Sequence, residues 1–155
     1  MFLLMRDIAS DIDMEYGHSG RLRKYAGAIA NPSIRACILI RLASLGNKAL
    51  YVLARNLLIA LHSIDIGPQL TVGSSLVLPH PTCLVLGSGV RIGDKVTIYQ
   101  GTTIGVKNGG YPVIEDEVTI FPGAIIVGAI TVGRGAVIGA ATFVDKDVPD
   151  NTVFR

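Results

Sequence analysis

The sequence predicts a mainly β protein: a parallel β-helix of hexapeptide repeats preceded by a small α-helical N-terminal region. Three observations carry this. The first is an aliphatic period of six. Index residues fall at Ile66, Val72 and Leu78, then after a two-residue slip at Leu86, Ile92, Ile98 and Ile104. After the segment 106–113 they resume at Ile114, Ile120, Ile126, Val132, Ile138 and Val144. A helix repeats every 3.6 residues and a half-buried strand every two, so neither explains six; a coiled stack of short strands does. The second is glycine, 18 in all, often directly after the index residue (Gly67, Gly73, Gly87, Gly93, Gly105, Gly133, Gly139). Such glycines are expected at corners where φ turns positive. The third is composition: half the residues are hydrophobic, yet only 6% are aromatic and there is no Trp. A narrow interior lined by stacked Ile, Val and Ala, at about 4.8 Å per coil, has no room for large rings.

The elements follow in order. Residues 1–63 read as helix. Asp7, Asp11, Asp13 and Glu15 mark a first acidic helix that Gly17 and Gly20 end, with His18 in the loop behind it. Asn31-Pro32-Ser33 starts a second, which Gly46-Asn47 breaks, and a third runs from Lys48 to His62. His18 and His62 read as structural or solvated. The last two helices are apolar around most of their circumference and are expected to pack on each other and on a partner subunit. Residues 64–155 form the β-helix. At the fifth position of the repeats, Thr82, Val90, Val96, Thr102, Val118, Ala124, Ala136 and Thr142 are small or β-branched.

Several function classes fall away. A net charge of +2 with no basic, aromatic-laced cluster predicts no nucleic-acid partner. Arg35, Arg41, Lys48 and Arg55 interrupt the apolar stretch 33–61, so no transmembrane segment is predicted. Met1–Met5 is too short for a secretory h-region. Cys37 and Cys83 form no CxxC pair, which suits reduced thiols in the cytoplasm, with Cys83 expected as an inert core thiol. A zinc enzyme of this shape needs three coil histidines, and the repeat region has only His80, so no metal is expected. Lys48 and Arg55 read as a solvated stripe, or as a peripheral seat on an anionic membrane. A non-catalytic scaffold stays open as a less favoured reading: it would want a regular threonine ladder, which Thr97, Thr102, Thr103 and Thr119 do not form.

His80 sits inside Leu76-Val77-Leu78-Pro79-His80-Pro81-Thr82-Cys83-Leu84, an aliphatic run broken by two prolines. Fifteen residues earlier stands Asp65, in Ser63-Ile64-Asp65-Ile66-Gly67-Pro68. With the lead-in NPSIRACILIRLAS and the repeat region, this pair resembles the hexapeptide-repeat acyltransferases of the serine acetyltransferase family. The resemblance covers most of the chain. It implies a left-handed coil, an exception to the usual crossover hand, and a homotrimer with acetyl-CoA in the cleft between subunits. It also implies His80 as general base and Asp65 as its orienting carboxylate, on neighbouring coils near one corner. A neutral imidazole suits removal of a hydroxyl proton at pH 7.

Thr103–Pro112 resembles the family's Gly-rich loop beside the donor cleft. By position, Gly105, Lys107 and Gly110 would lie along the pantetheine and phosphates. Ala124 and Ala140 would offer backbone groups to the pantetheine arm, and Lys146 would meet phosphate. Departures accompany the match. Pro79 replaces the family's substrate-contacting Asp, Tyr111 replaces an Arg-His pair, and Gly17-His18-Ser19 replaces Arg-Asp-Pro. A site without charged partners binds free serine poorly, so the expected acceptor is a sugar, a polysaccharide unit or another small alcohol, with Pro79 beside it and Tyr111 either contacting it or covering the cleft. Serine O-acetylation is the alternative. No cysteine synthase complex is expected, since the chain stops at Thr152-Val153-Phe154-Arg155, and a dimer of trimers through the helical region is admitted.

Overall fold

The computed structural model describes residues 2–16 and 30–155. The loop expected to carry Gly17, His18, Ser19 and Gly20 lies outside the described residues. Three helices lead: α1 (Phe2–Tyr16), α2 (Pro32–Ala43) and α3 (Lys48–His62). Their starts are chemical. The Asn31 side chain accepts from the N–H groups of Ser33 and Ile34, with Pro32 in the first turn, and Asn47 accepts from Leu50 N–H. α3 ends at Ser63, whose left-handed φ of 55° turns the chain into the first strand.

A left-handed parallel β-helix of about four turns follows. Its three faces are parallel sheets. The first stacks β1 (Asp65–Ile66), β3 (Val85–Leu86), β6 (Thr103–Gly105), β9 (Ile125–Val127) and β12 (Phe143–Val144). The second stacks β2 (Thr71–Val72), β4 (Arg91–Ile92), β7 (Val113–Ile114) and β10 (Thr131–Val132). The third stacks β5 (Thr97–Ile98), β8 (Thr119–Ile120), β11 (Val137–Ile138) and β13 (Val153–Phe154). Ladder partners are index residue on index residue: Ile66 on Leu86, Leu86 on Ile104, Ile104 on Ile126. Every index residue except Val72 is buried.

The glycines after the index residues serve a different purpose from the one expected. None of them has a positive φ. At Gly67, Gly73, Gly93 and Gly133 successive coils touch: a Cβ on Gly67 would stand 2.1 Å from Ser88 N, and one on Gly93 2.8 Å from Asp116 N, whereas Gly105 has open space above it. Left-handed residues fall elsewhere on the corners and are often not glycine, as at Ser75, Lys95 and Glu117.

A buried ion pair ties the helices to the coil. Arg41 on α2 grips both Asp11 oxygens from α1 and donates to Gly73 O at 2.8 Å, while Leu76 N–H donates to Asp11 at 2.9 Å. α2 is largely buried. α3 buries only Ala54, Leu58 and His62 and leaves Val52, Leu53, Leu57, Ile59 and Leu61 exposed on this chain. Among the described residues no helix is long and apolar enough to cross a membrane.

Candidate active site

His80 owes its place to an insertion. Val77 pairs with Thr97 on the next coil, so Pro79 stacks below Tyr99. One step further, Gly101 N–H donates to Thr82 O, as Gly123 donates to Gln100 O and Ala141 to Pro122 O. Thr82 therefore stacks below Gln100, and His80-Pro81 has no counterpart in the coils above. The two-residue slip in the sequence period is this pair. Thr82 N–H donates to His80 O at 2.8 Å, a γ-turn centred on Pro81, whose ring presets its φ. Pro81 is buried and His80 is exposed. The insertion shifts the inward position and corrects the expectation of Cys83 as a core thiol. Leu84, not Thr82, fills the inward position, and Cys83 is exposed, because it takes the left-handed corner site (φ 54°) shared with Gly101, Gly123 and Ala141.

The His80 corner borders an open groove of about 410 Å³ that Arg35, His62, Ser63 and Thr82 also line. His62 is structural rather than solvated: it is 5% exposed, and its Nε2 accepts from Arg35 Nε at 3.2 Å. Burial, with the Arg35 charge, holds its pKa below the ordinary histidine value, against a backbone hydrogen bond at Pro81. On the other side the His80 ring is 6.4 Å from that of Tyr99, which stacks in parallel on Phe121 at 5.4 Å. Gln100 Oε1 is buried and has no hydrogen-bond partner among the described residues.

Asp65 opens the first coil and His80 stands near the end of that same coil, not on a neighbouring one, since β1 pairs with β3 only at Val85. No hydrogen bond joins them among the described residues. Asp65 Oδ1 instead takes Arg55 Nε and Nη2, each at 2.7 Å. Arg55 thus leaves the solvated stripe it was expected to share with Lys48. Asp65 and Arg55 line a second groove of about 400 Å³ with Gly67, Gly87, Gly105 and Val106.

Of the residues expected to hold the donor, Gly105 lies in the Asp65 groove with open space over its Cα. Lys107 and Gly110 exchange backbone hydrogen bonds around Asn108-Gly109, both left-handed, so the loop closes as a tight hairpin turn. The Lys107 ammonium bonds Asp145 at 2.8 Å and lies over the Phe143 ring; Lys146 lies over Phe154. Ala124 points inward; its carbonyl accepts from Thr103 N–H at 2.9 Å in the coil ladder, and its N–H donates to Phe121 O within its own coil at 3.4 Å. Ala140 is exposed at the corner above Gln100 and Pro122. Pro79 is half-buried beside His80, and Tyr111 packs over Gly89, at a different corner. One chain therefore presents two separate sets: His80, Pro79 and Ala140 at one corner, and Gly105, Lys107, Gly110 and Tyr111 at the loop. Among the described residues no cluster of three or more His, Cys, Asp or Glu could hold a metal ion.

No family model matches the chain. It is 36% identical over 163 residues to a serine acetyltransferase of Bacillus pumilus (strain SAFR-032), covering 98% of this chain and 73% of that one. It is 39% identical over 135 residues to a plasmid serine acetyltransferase of Synechococcus elongatus, covering 76% of this chain but only 42% of the relative. Among solved structures, soybean serine acetyltransferase complexed with serine superposes with a TM-score of 0.85 at 28% identity, covering 98% of this chain and 67% of that one. A serine acetyltransferase in complex with CoA gives 0.83 at 26%, covering 96% and 66%.

Proposed function

The chain belongs to the serine acetyltransferase family, and from that premise we propose that it is an acetyl-CoA-dependent O-acetyltransferase with His80 as general base. The observation that carries this is the exposed imidazole on a two-residue insertion, beside a groove, in a chain whose whole length matches acetyltransferases. The reaction needs no covalent enzyme intermediate. The His80 imidazole takes the acceptor hydroxyl proton as that oxygen attacks the thioester carbonyl. The carbon–sulfur bond then breaks, and the imidazolium returns the proton to the departing CoA thiolate. Asp65 is the carboxylate that orients the ring and steadies its charged form, as in a Ser-His-Asp arrangement. Arg55 engages Oδ1 of that carboxylate.

Serine is the better-supported acceptor. The relatives that match the chain are serine acetyltransferases, and a neighbour of closely similar fold is complexed with serine. A sugar or other neutral alcohol is the second reading. It is favoured by Pro79 and Tyr111, which bring no charge, and by the stacked Tyr99–Phe121 rings beside His80, a flat apolar face suited to a pyranose. The donor lies along Gly105, Lys107 and Gly110, with Ala140 and Lys146 further along and Ala124 within the coil wall. Because Gly105, Lys107 and Gly110 lie at the loop and His80 at a different corner of one chain, a complete site would form between copies, which supports a homotrimer; the exposed face of α3 would pair such trimers. Residues 1–63 act as the assembly region and 64–155 as the catalytic domain, in the cytoplasm or at a membrane surface.

Thiol release from acetyl-CoA, measured with L-serine, homoserine, and mono- and oligosaccharides, separates the readings. Turnover with serine is expected. Turnover with saccharides alone would replace serine by the second reading, and no turnover with any acceptor would overturn the proposed activity.

A further inference from the structure

We propose that Tyr99 is a positioning residue for the base: its ring, held by Phe121, is the wall against which the His80 imidazole rests. This inference rests on the reading of His80 as the base. The two aromatic residues stand at the outer end of the third face. Ile98 pairs with Ile120, Tyr99 N–H donates to Ile120 O at 3.0 Å, and Phe121 N–H donates to Ile138 O at 2.9 Å. Tyr99 and Phe121 therefore follow stacked index residues one coil apart. Their rings lie 1° from parallel with centroids 5.4 Å apart, close to the roughly 4.8 Å step between coils. The regular coil sets this stack. Neither ring fills the interior: Tyr99 is half-buried and Phe121 exposed, while Ile98 and Ile120 take the inward positions.

His80 stands where the ladder cannot hold it. His80-Pro81 has no counterpart in the coils above, and among the described residues no hydrogen bond reaches the His80 ring. What the ring does meet is Tyr99, one coil above Pro79, with centroids 6.4 Å apart and planes tilted by 53°. Aromatic rings favour such non-parallel contacts at centroid distances of about 4.5–7 Å. Tyr99 cannot turn aside without leaving Phe121, so order passes from the coil through two rings to a side chain on an irregular turn. A reacting group displaced by about 1 Å costs up to about 100-fold in rate. A base on an insertion needs its orientation supplied from outside the ladder, and this stack supplies it.

The test uses the full chain. Tyr99→Phe keeps the ring and drops the hydroxyl, Tyr99→Leu keeps bulk and drops the ring, and Phe121→Ala leaves Tyr99 in place but unstacked. With the acceptor found in the panel, Y99F is expected to keep kcat within about twofold and Y99L to lose about tenfold or more, with F121A between them and KM for the acceptor unchanged. Because both losses act through one ring, the double variant Y99L/F121A is expected to match Y99L. Losses that multiply overturn the inference. Equal loss in Y99F and Y99L does so too, since it assigns the effect to the hydroxyl. A raised KM for the acceptor with kcat kept would make the rings a wall for the acceptor, which also overturns it. In parallel, the His80 ring signal in a histidine-labelled NMR spectrum, assigned by its disappearance in His80→Ala, is expected to move in F121A, where His80 and Tyr99 are both intact. It is expected to stay in place in Phe121→Tyr, which keeps the stack. An unmoved signal in F121A overturns the inference. This readout needs no turnover, so failure of the enzyme reading and failure of the positioning role are told apart.

Discussion

Replacing Asp65 by Asn tests the base pair against its simplest rival, a surface ion pair with Arg55. The two differ in magnitude. Arg55 and Asp65 side chains are 37% and 48% exposed, so their pair lies in the regime of solvated salt bridges. Such pairs contribute about 0–1 kcal/mol, which in a chain of this size moves the melting midpoint by only about 2–4 °C. Arg55→Met breaks the same pair, leaves the carboxylate in place, and should show that same small shift. The amide introduced by Asp65→Asn has nearly the shape of the carboxylate but no charge, and it presents an N–H where an acceptor is needed. If the carboxylate orients the imidazole and steadies its protonated form, kcat should fall by about 10²–10⁴. No loss of about 1 kcal/mol in stability can imitate that. The assay is initial-rate thiol release at saturating acetyl-CoA, with thermal melts of D65N and R55M alongside. A D65N enzyme within about threefold of the parent, in a protein where H80A is inactive, would remove Asp65 from the mechanism.

Three further outcomes follow from the geometry. Arg41→Met strands a carboxylate that is 3% exposed, leaving it only the Leu76 N–H, and should cost about 3–5 kcal/mol in urea unfolding; the double variant Asp11→Leu/Arg41→Met should recover much of it, and a single-variant cost below about 1 kcal/mol would refute the anchoring role. His62 has a lowered folded pKa, so its contribution to stability is complete above the ordinary value near 6.5 and is lost as pH falls below it toward the folded pKa. Between pH 7.5 and 5 the parent's melting midpoint should fall more steeply than that of H62N; parallel slopes would contradict this. Gly67→Ala drives a Cβ into the Ser88 backbone and should lower the melting midpoint markedly, whereas Gly105→Ala, with nothing within 4 Å, should barely change it.

The β-helix was legible because its rule is local and repeats. Each coil must point one aliphatic side chain inward every six residues, so the register from Ile66 to Val144 can be read without knowing where any residue lies in space. The helix starts were legible for the same reason: Asn31-Pro32 and Asn47 act on N–H groups two or three residues away. The glycines misled, since a residue chosen for what stands one coil above it looks the same in sequence as one chosen for its own φ. His80 was found by its spacing from Asp65 and by resemblance, but its insertion was visible only as a slip in the period.

Contacts between residues far apart in the chain were not legible. Arg55 reaches Asp65 because α3 folds back over the first strand, and Arg41 reaches Asp11 because α1 crosses α2. His62 lies beneath His80-Pro81 because a helix end becomes the first corner of the coil. None of these follows a period. Near neighbours and a fixed step were enough to define the repeat and the capped helices, and a family resemblance pointed to the candidate base. Charge pairing and the seat of His80 depend on how the helices pack on the coil, and only the folded chain settles that.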